Sequence, residues 1–227
     1  MTTRKFAFWI IAATGFIVLC SLGTWQVYRL NWKNNLIATK KAALTESPLS
    51  IEIALQNTEL GQEVEFKRVQ IKGRWVEDTL YYIIGRTHKG RAGYHVVAPL
   101  KLDSGQVIFV NLGWSDKKEL IDLKGPVNLE GYIRYPYKNA FTPNPIVEKK
   151  EWGAVLPEQM RSALSGDYKI IEKIYIQLKD PSPFPELRAL KKIILTIDIP
   201  NRHLGYIITW YGLAIAWLFV MIYSKNT

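Results

Sequence analysis

The sequence predicts an α+β membrane protein in which two transmembrane helices flank a β-rich extracytoplasmic domain. An uncharged apolar run lies near each end of the 227-residue chain, and these runs carry much of its 48% hydrophobic content. Between them lie strand-like stretches separated by turn residues. The expected organisation is a transmembrane helix at 6–28, the β-rich domain at 29–200 and a second transmembrane helix at 204–223.

The first apolar run, 6–22, carries no charge and follows two basic residues. Continued to Tyr28, it approaches the roughly 20 residues that a helix needs to cross a bilayer. A cleaved signal peptide is the alternative, because Ser21-Leu22-Gly23 resembles a small-x-small cleavage site. A retained span is favoured, because the helical pattern continues beyond that site.

The second apolar run, from Leu204 to Tyr223, is also uncharged and is soon followed by Lys225. Its length again suits one bilayer crossing, and its aromatic rings suit membrane–water interfaces. Gly212 and Ala216 form one small-x-x-x-small step, which favours a close helix contact.

Two spans place both termini on the same side of the membrane. Arg4, Lys5 and Lys225 favour cytoplasmic termini, although basic residues on the opposite side weaken this bias. The main domain is then periplasmic in a bacterium or lies in a mitochondrial intermembrane space. The lack of an Arg-rich, Ser-rich leader favours the bacterial inner membrane. This topology brings regions 23–33 and 202–210 to the same depth, where they could form one site.

The middle of the chain predicts an antiparallel sheet or partial barrel with one short helix. Asp103-Ser104-Gly105 is a turn of the hairpin type, and Pro157 begins the predicted helix, 157–164. Ser50–Leu55 is compatible with a short helix or a strand. The predicted strands are 66–75, 80–86, 94–102, 106–114 and 127–135, with further strand-like segments at 168–178 and 192–199.

The net charge of +10 does not indicate nucleic-acid binding. Basic residues are scattered or cluster beside the apolar runs, and no aromatic-basic nucleic-acid motif occurs. The basic residues either contact anionic lipid head groups or simply form a solvated surface. The single cysteine, Cys20, excludes an intramolecular disulfide and any two-cysteine metal or thiol site.

Enzymatic function is not supported by any motif. A Gly-x-Ser-x-Gly elbow and the phosphate-binding glycine loops are absent from the sequence. His88 and His95 have no evident third partner for a zinc site, so packing within the hairpin is the favoured interpretation. We therefore expect a protein without catalytic activity.

His203 stands at the predicted start of the second membrane helix. Tyr206, Ile207 and Trp210 follow it at helical spacing and share its face. An imidazole above an aromatic wall, with Arg29 from the first span, is a combination that suits haem. The same residues are also typical of interface anchors, and spacing alone favours that simpler interpretation.

Several short strings carry a resemblance to one family, over nearly the whole chain. They are Leu22-Gly23-Thr24-Trp25-Gln26-Val27-Tyr28-Arg29, Gly93-Tyr94-His95-Val96-Val97-Ala98-Pro99-Leu100, Val110-Asn111-Leu112-Gly113-Trp114, Gly131-Tyr132-Ile133-Arg134, Pro143-Asn144-Pro145 with Trp152, and Asn201-Arg202-His203-Leu204-Gly205-Tyr206. In this order they resemble the surfeit-locus (Shy1-type) cytochrome c oxidase assembly factors. One departure is Leu112, because the family usually has an arginine before the glycine of its Asn-Arg-Gly-Trp string.

The resemblance implies a non-enzymatic assembly factor that binds haem a and assists its insertion into oxidase subunit I. It implies His203 as the axial ligand of the haem iron, within a site completed by the first span. Expected partners are oxidase subunit I, haem a synthase and membrane lipid, and no nucleic acid. The alternative is a membrane scaffold for oxidase assembly that does not itself bind haem. The predicted cofactor-binding residues are His203, Trp25, Gln26, Arg29, Tyr206 and Trp210.

Overall fold

A computed structural model describes residues 3–225 except 77, 78, 119, 120, 196, 198 and 199. The chain forms two compact units, a helical unit of Met1–Thr39 with Ile197–Thr227 and a β unit of Lys40–Thr196. The elements in chain order are α1 (Thr3–Ala43), β1 (Leu49–Ser50), α2 (Ile51–Glu59), β2 (Arg68–Trp75), β3 (Tyr81–His88), β4 (Arg91–Leu102), β5 (Val107–Ser115), β6 (Pro126–Arg134), β7 (Glu151–Trp152), α3 (Pro157–Met160), β8 (Tyr175–Leu178) and α4 (His203–Lys225).

Two long apolar helices, α1 and α4, form the helical unit. Their stretches Phe6–Ala43 and His203–Ser224 are long and apolar enough to cross a membrane. Few side chains in either stretch are buried, which distinguishes them from the core helices of a soluble protein. α1 continues well past Tyr28, the predicted end of its span, because no glycine or proline occurs in 29–43.

Five strands of the β unit close into a barrel. β2 pairs with β6 on one side and with β4 on the other, and β8 and β5 complete the circle. The pairs are antiparallel except β5 with β8. β1 extends the sheet beside β2, while β3 and β7 extend it beside β4. The barrel is therefore closed, and three of the described pairings, β1–β2, β3–β7 and β5–β8, are parallel, which the sequence pattern did not predict.

Short turns account for the pairs between consecutive strands. Lys89 and Gly90 join β3 to β4 with φ values of 48° and 79°, as a two-residue hairpin turn requires. The predicted turn ending at Gly105, whose φ is 83°, joins β4 to β5. The pairs that close the barrel join distant segments, as where Val69 of β2 lies opposite Gly131 of β6.

Side-chain alternation gives the β unit two apolar cores. β5 is buried along its whole length because both of its faces are covered. Its Ile108, Val110 and Leu112 belong to the core that fills the barrel, whereas Val107 and Phe109 belong to a second core beside β7 and α3. Leu112, at the position of the usual family arginine, is fully buried, so an arginine there would bring a charge into the barrel core.

Ser50–Leu55, which was compatible with a helix or a strand, is helical from Ile51, because the hydroxyl of Ser50 accepts a hydrogen bond from the backbone N–H of Ile53 at 3.4 Å and caps α2. Two predicted strands differ from the observed elements. Only Tyr175–Leu178 of the predicted strand 168–178 is a strand. The described residues of 192–199 form no strand, and positions 196, 198 and 199 lie outside the described residues.

The two histidines of the β unit have separate packing partners. His88 stacks on the ring of Trp114 with their centroids 5.2 Å apart. His95 accepts a hydrogen bond at Nδ1 from the side-chain amide of Asn111 at 3.2 Å. Burial, with a smaller contribution from the Arg86 guanidinium, lowers the pKa of His95 to about 3. His95 is therefore neutral at physiological pH.

Mild acid should destabilise the β unit through His95. The pKa in the unfolded chain is about 6.5, so between this pH and about 3 the unfolded state binds more protons and the free energy of unfolding falls as pH falls. From pH 7 to pH 5 we expect a loss of about 2 kcal/mol, measured by denaturant unfolding of the detergent-purified protein. Asparagine at position 95 offers a hydrogen-bond acceptor but does not titrate. The free energy of unfolding of His95→Asn should therefore fall by about 2 kcal/mol less between pH 7 and pH 5 than that of the wild type. Equal losses in both proteins would contradict the assignment.

Candidate functional site

α1 and α4 pack against each other in antiparallel directions. The indole of Trp217 donates a hydrogen bond to the carbonyl of Ala12 at 2.8 Å, and further along the pair the ring of Tyr211 covers Gly23. A Cβ on Gly23 would lie 3.0 Å from that ring, so glycine allows the close approach. The hydroxyls of Tyr211 and Thr24 are 3.0 Å apart beside it.

The predicted small-residue contact of α4 is wrong. A Cβ on Gly212 would meet nothing within 4 Å, and Ala216 is exposed. Ala214 is instead the buried small residue of this helix. The stripe that faces α1 follows a repeat near 3.5 residues, which is typical of paired helices. It consists of His203, Ile207, Trp210, Ala214, Trp217 and Met221, and Tyr211 contacts α1 beside it.

His203, the first residue of α4, is hydrogen-bonded to α1 through Gln26. Its Nδ1 lies 2.7 Å from Oε1 of Gln26, which is only 8% exposed. Because a carbonyl oxygen can only accept, Nδ1 is the donor and carries the proton. The neutral imidazole then keeps its lone pair on Nε2, and no described residue contacts that atom by a hydrogen bond.

The segment that leads into α4 is also tied to α1. The ammonium of Lys33 donates to the carbonyl of Pro200 at 2.5 Å, and the amide of Asn201 donates to Oδ1 of Asn34 at 2.9 Å. These bonds hold the segment before α4 against α1 about two helical turns beyond Gln26. The predicted regions 23–33 and 202–210 therefore do meet, although Lys33 is engaged with a backbone carbonyl.

A face of α1 adjacent to Gln26 carries exposed aromatic rings and a cation. Trp25, Tyr28 and Trp32 are 56%, 73% and 50% exposed and follow one another at helical spacing. The guanidinium of Arg29 lies over the ring of Trp32, 4.1 Å from its centroid. The prediction omitted Tyr28 and Trp32, although their spacing from Trp25 was visible in the sequence.

A shallow groove of about 470 Å³ runs along α1 from this face. Its lining is mainly apolar, with Phe16 and Ile17 at one end and Trp25 and Tyr28 at the other. A flat apolar ligand could lie in this groove without displacing α4, because all of its lining residues belong to α1.

The two predicted residues of α4 lie in different environments. Tyr206 is 53% exposed, because it falls outside the stripe that faces α1. Trp210 lies within that stripe, and its indole Nε1 is buried without a hydrogen-bond partner in the described part of the chain. Of the two, only Trp210 shares the helix interface with His203.

The donor chemistry of this site fits a haem group. A metal-binding histidine usually donates its second N–H to an oxygen, as His203 does to Gln26, which fixes the ring and raises its basicity. Arg29 and Trp25 lie within one helical turn of Gln26. A guanidinium suits a propionate, and an exposed indole suits the macrocycle.

Removing the acceptor of the His203 bond should weaken haem retention. Gln26→Met preserves the length of the side chain but cannot hold the Nδ1 proton, so we expect a roughly 10- to 100-fold lower affinity. The measurement is haem titration of the detergent-purified protein. Gln56→Met, at an exposed position of α2, is the control. A Gln26→Met protein that binds haem like this control would contradict the role of the hydrogen bond.

Comparison with known proteins finds relatives over most of the chain. The sequence model of the SURF1 family matches residues 13–215, a range that includes both Gln26 and His203. A SURF1-like protein of Dictyostelium discoideum is 28% identical over 247 residues, covering 90% of this chain and 91% of that protein. A SURF1-like protein of Rickettsia felis is 27% identical over 228 residues, covering 96% of both chains. Surfeit locus protein 1 of Gallus gallus is 28% identical over 223 residues, covering 88% of this chain and 69% of that protein.

Proposed function

The chain belongs to the SURF1 family, and from this premise we propose that it is an assembly factor for haem-copper cytochrome c oxidase. It binds haem a and assists the insertion of this cofactor into oxidase subunit I. It acts as a carrier and not as an enzyme. Its expected partners are subunit I, haem a synthase and membrane lipid.

The hydrogen bond between His203 and Gln26 is the observation that carries this proposal. His203 would hold the iron through its unprotonated ring nitrogen, while Gln26 accepts the proton of Nδ1 and so orients the ring. Arg29 would pair with a propionate, and the exposed rings of Trp25 and Tyr206 would pack on the macrocycle. When bound, haem a supplies the iron and the conjugated ring that the oxidase later uses.

Release of the cofactor is as important to a carrier as binding. His203 is the only histidine in either apolar helix, so the helix pair offers one imidazole for the iron. The aromatic face of α1 is open on its outer side, where a receiving protein can reach the ligand. One imidazole and an open face favour transfer over permanent retention.

We place the protein in the bacterial inner membrane with the β unit in the periplasm. Antiparallel packing brings the start of α1 and the end of α4 to the same end of the helix pair, as two membrane crossings require. Arg4, Lys5 and Lys225 lie beside these ends and favour the cytoplasm. The Rickettsia relative is consistent with a bacterial setting.

A visible spectrum of the purified chain tests the proposal. Protein produced in cells that make haem a and purified in detergent should show a Soret band and the pyridine haemochrome of haem a. Protein from cells that lack haem a synthase is the control. Co-purification of subunit I without haem absorption would instead support the alternative, a membrane scaffold for oxidase assembly.

A further inference from the structure

Arg86, on β3, is a partly buried cation without a carboxylate partner in the described chain. Its Nη2 donates a hydrogen bond to the carbonyl of Gly153 at 2.9 Å, and its Nε is buried with no hydrogen-bond partner. Burial lowers the pKa of Arg86, with a smaller opposing effect of Tyr175, yet a guanidinium stays charged at physiological pH. A half-buried charge with free N–H groups favours an anion from outside the chain.

A β-bulge determines where Arg86 points. The register between β3 and β4 shifts between Ile83 and Arg86, and Gly85 within the bulge has a φ of 70°. An extra residue in one strand redirects the side chains that follow it, and such bulges are common beside binding sites. Arg86 consequently lines a cleft outside the barrel.

This cleft, of about 370 Å³, lies between the bulge of β3 and the loop 137–143. Tyr137 and Phe141 lie on its rim and are 72% and 92% exposed. Asn139 orders the loop, since its Oδ1 accepts from the backbone N–H of Phe141 at 2.9 Å and from the hydroxyl of Thr142 at 3.2 Å. The rings are therefore presented on an ordered loop although little of their surface is buried.

Gly153 connects the loop to Arg86. A Cβ on Gly153 would lie 2.5 Å from the carbonyl oxygen of Pro143, so only glycine allows the loop to lie against this strand end. The carbonyl of the same glycine accepts the hydrogen bond from Arg86. The cation and the aromatic rim are thus positioned by one shared residue.

We propose that this cleft binds an acidic side chain of a partner polypeptide, with Arg86 pairing the carboxylate and Phe141 and Tyr137 packing on the apolar residues beside it. Arg86 is the only cation among the described residues that line the cleft, which matches a single negative charge better than a phosphate. Exposed aromatic rings around a half-buried arginine are typical of protein interfaces. The cleft lies wholly in the β unit, and its role does not rest on haem binding.

Two dipeptide probes test the cleft on the full-length protein in detergent. N-acetyl-Phe-Glu-amide and its neutral counterpart N-acetyl-Phe-Gln-amide differ only in the carboxylate. The reporter is the indole N–H resonance of Trp114, which donates to the carbonyl of Arg86 at 3.3 Å. We expect the Glu probe to bind about tenfold more tightly than the Gln probe. Equal affinities would overturn the proposal without any variant.

Variants separate this site from general attraction between charges. Arg86→Gln should remove the preference for the Glu probe, whereas Arg91→Gln, an exposed charge on the next strand, should keep it. Phe141→Ala should weaken the binding of both probes several-fold. Because Phe141 is highly exposed, this variant should fold, and it tests the cleft even if Arg86→Gln does not fold. Three results would overturn the proposal. They are loss of the preference for the Glu probe in Arg91→Gln, unchanged binding of both probes by Phe141→Ala, and stronger competition by inorganic phosphate than by acetate.

Discussion

Replacing His203 with alanine should almost abolish the haem a that the purified protein retains. His203 provides the one imidazole of the helix pair, and its Nε2 carries the lone pair because Nδ1 donates its proton to Gln26. Removing His203 should lower haem affinity by more than the roughly 10- to 100-fold expected when its hydrogen-bond partner Gln26 is replaced. The measurement is the Soret absorbance per protein. It is compared with that of the wild type and of His88→Ala, which controls for the loss of a histidine elsewhere in the chain.

Rescue separates loss of the ligand from disturbance of the helices. His203→Ala leaves Oε1 of Gln26 buried without its donor, which costs about 1–3 kcal/mol and could itself loosen the pair. Added imidazole should restore haem binding if the ligand alone is missing. An unchanged Soret band in His203→Ala would refute the axial-ligand role, and failure of rescue would assign the loss to helix packing.

Gly131→Ala should unfold the barrel or come close to doing so. Leu129 and Ile133, on either side of Gly131 along β6, are buried in the barrel core, and strand alternation directs position 131 to the same side. A Cβ there would lie 2.4 Å from Cγ2 of the buried Ile176 and 2.7 Å from the backbone carbonyl of Gln177. Backbone atoms of β8 cannot yield without breaking the pairing that closes the circle. We expect a loss of about 3 kcal/mol or more.

Gly105→Ala is the matched control for this substitution. Gly105 has a φ of 83° but no atom within 4 Å of a Cβ, so only backbone strain opposes alanine there. That strain costs about 1 kcal/mol. Chemical denaturation of both variants in detergent, followed by tryptophan fluorescence, should show the larger loss for Gly131→Ala. Equal losses would mean that the barrel tolerates a methyl group at this position.

Local signals made most of the strands predictable from the sequence. Alternation marked β2, strand-like runs marked β4 and β5 to within a few residues, and the turn at Asp103-Ser104-Gly105 indicated the pairing of the last two. Closure of the barrel was not predictable, because it depends on pairing between segments far apart in the chain. Nothing in the local pattern of Tyr175–Leu178 indicates that it pairs parallel to β5 and antiparallel to β6.

The candidate site was predictable only in part. Helical spacing placed Tyr206 and Trp210 together on the face of His203, but in the structure Trp210 lies in the helix interface whereas Tyr206 is 53% exposed. The reason is that the partner helix selects a stripe with a repeat near 3.5 residues, to which Trp210 belongs and Tyr206 does not. Gln26 entered the prediction through the family resemblance, because spacing along one helix cannot reveal the residue opposite it on another.

The hydrogen bond between Gln26 and His203 also determines how the two helices can be aligned. It joins polar side chains in an otherwise mostly apolar stripe, whose other side chains are poor substitutes as hydrogen-bond partners. A slip of α4 by one turn, about 5.4 Å, would separate the imidazole from the amide and leave both unsatisfied. The glutamine that orients His203 is thereby also the residue that keeps α1 and α4 from sliding past one another.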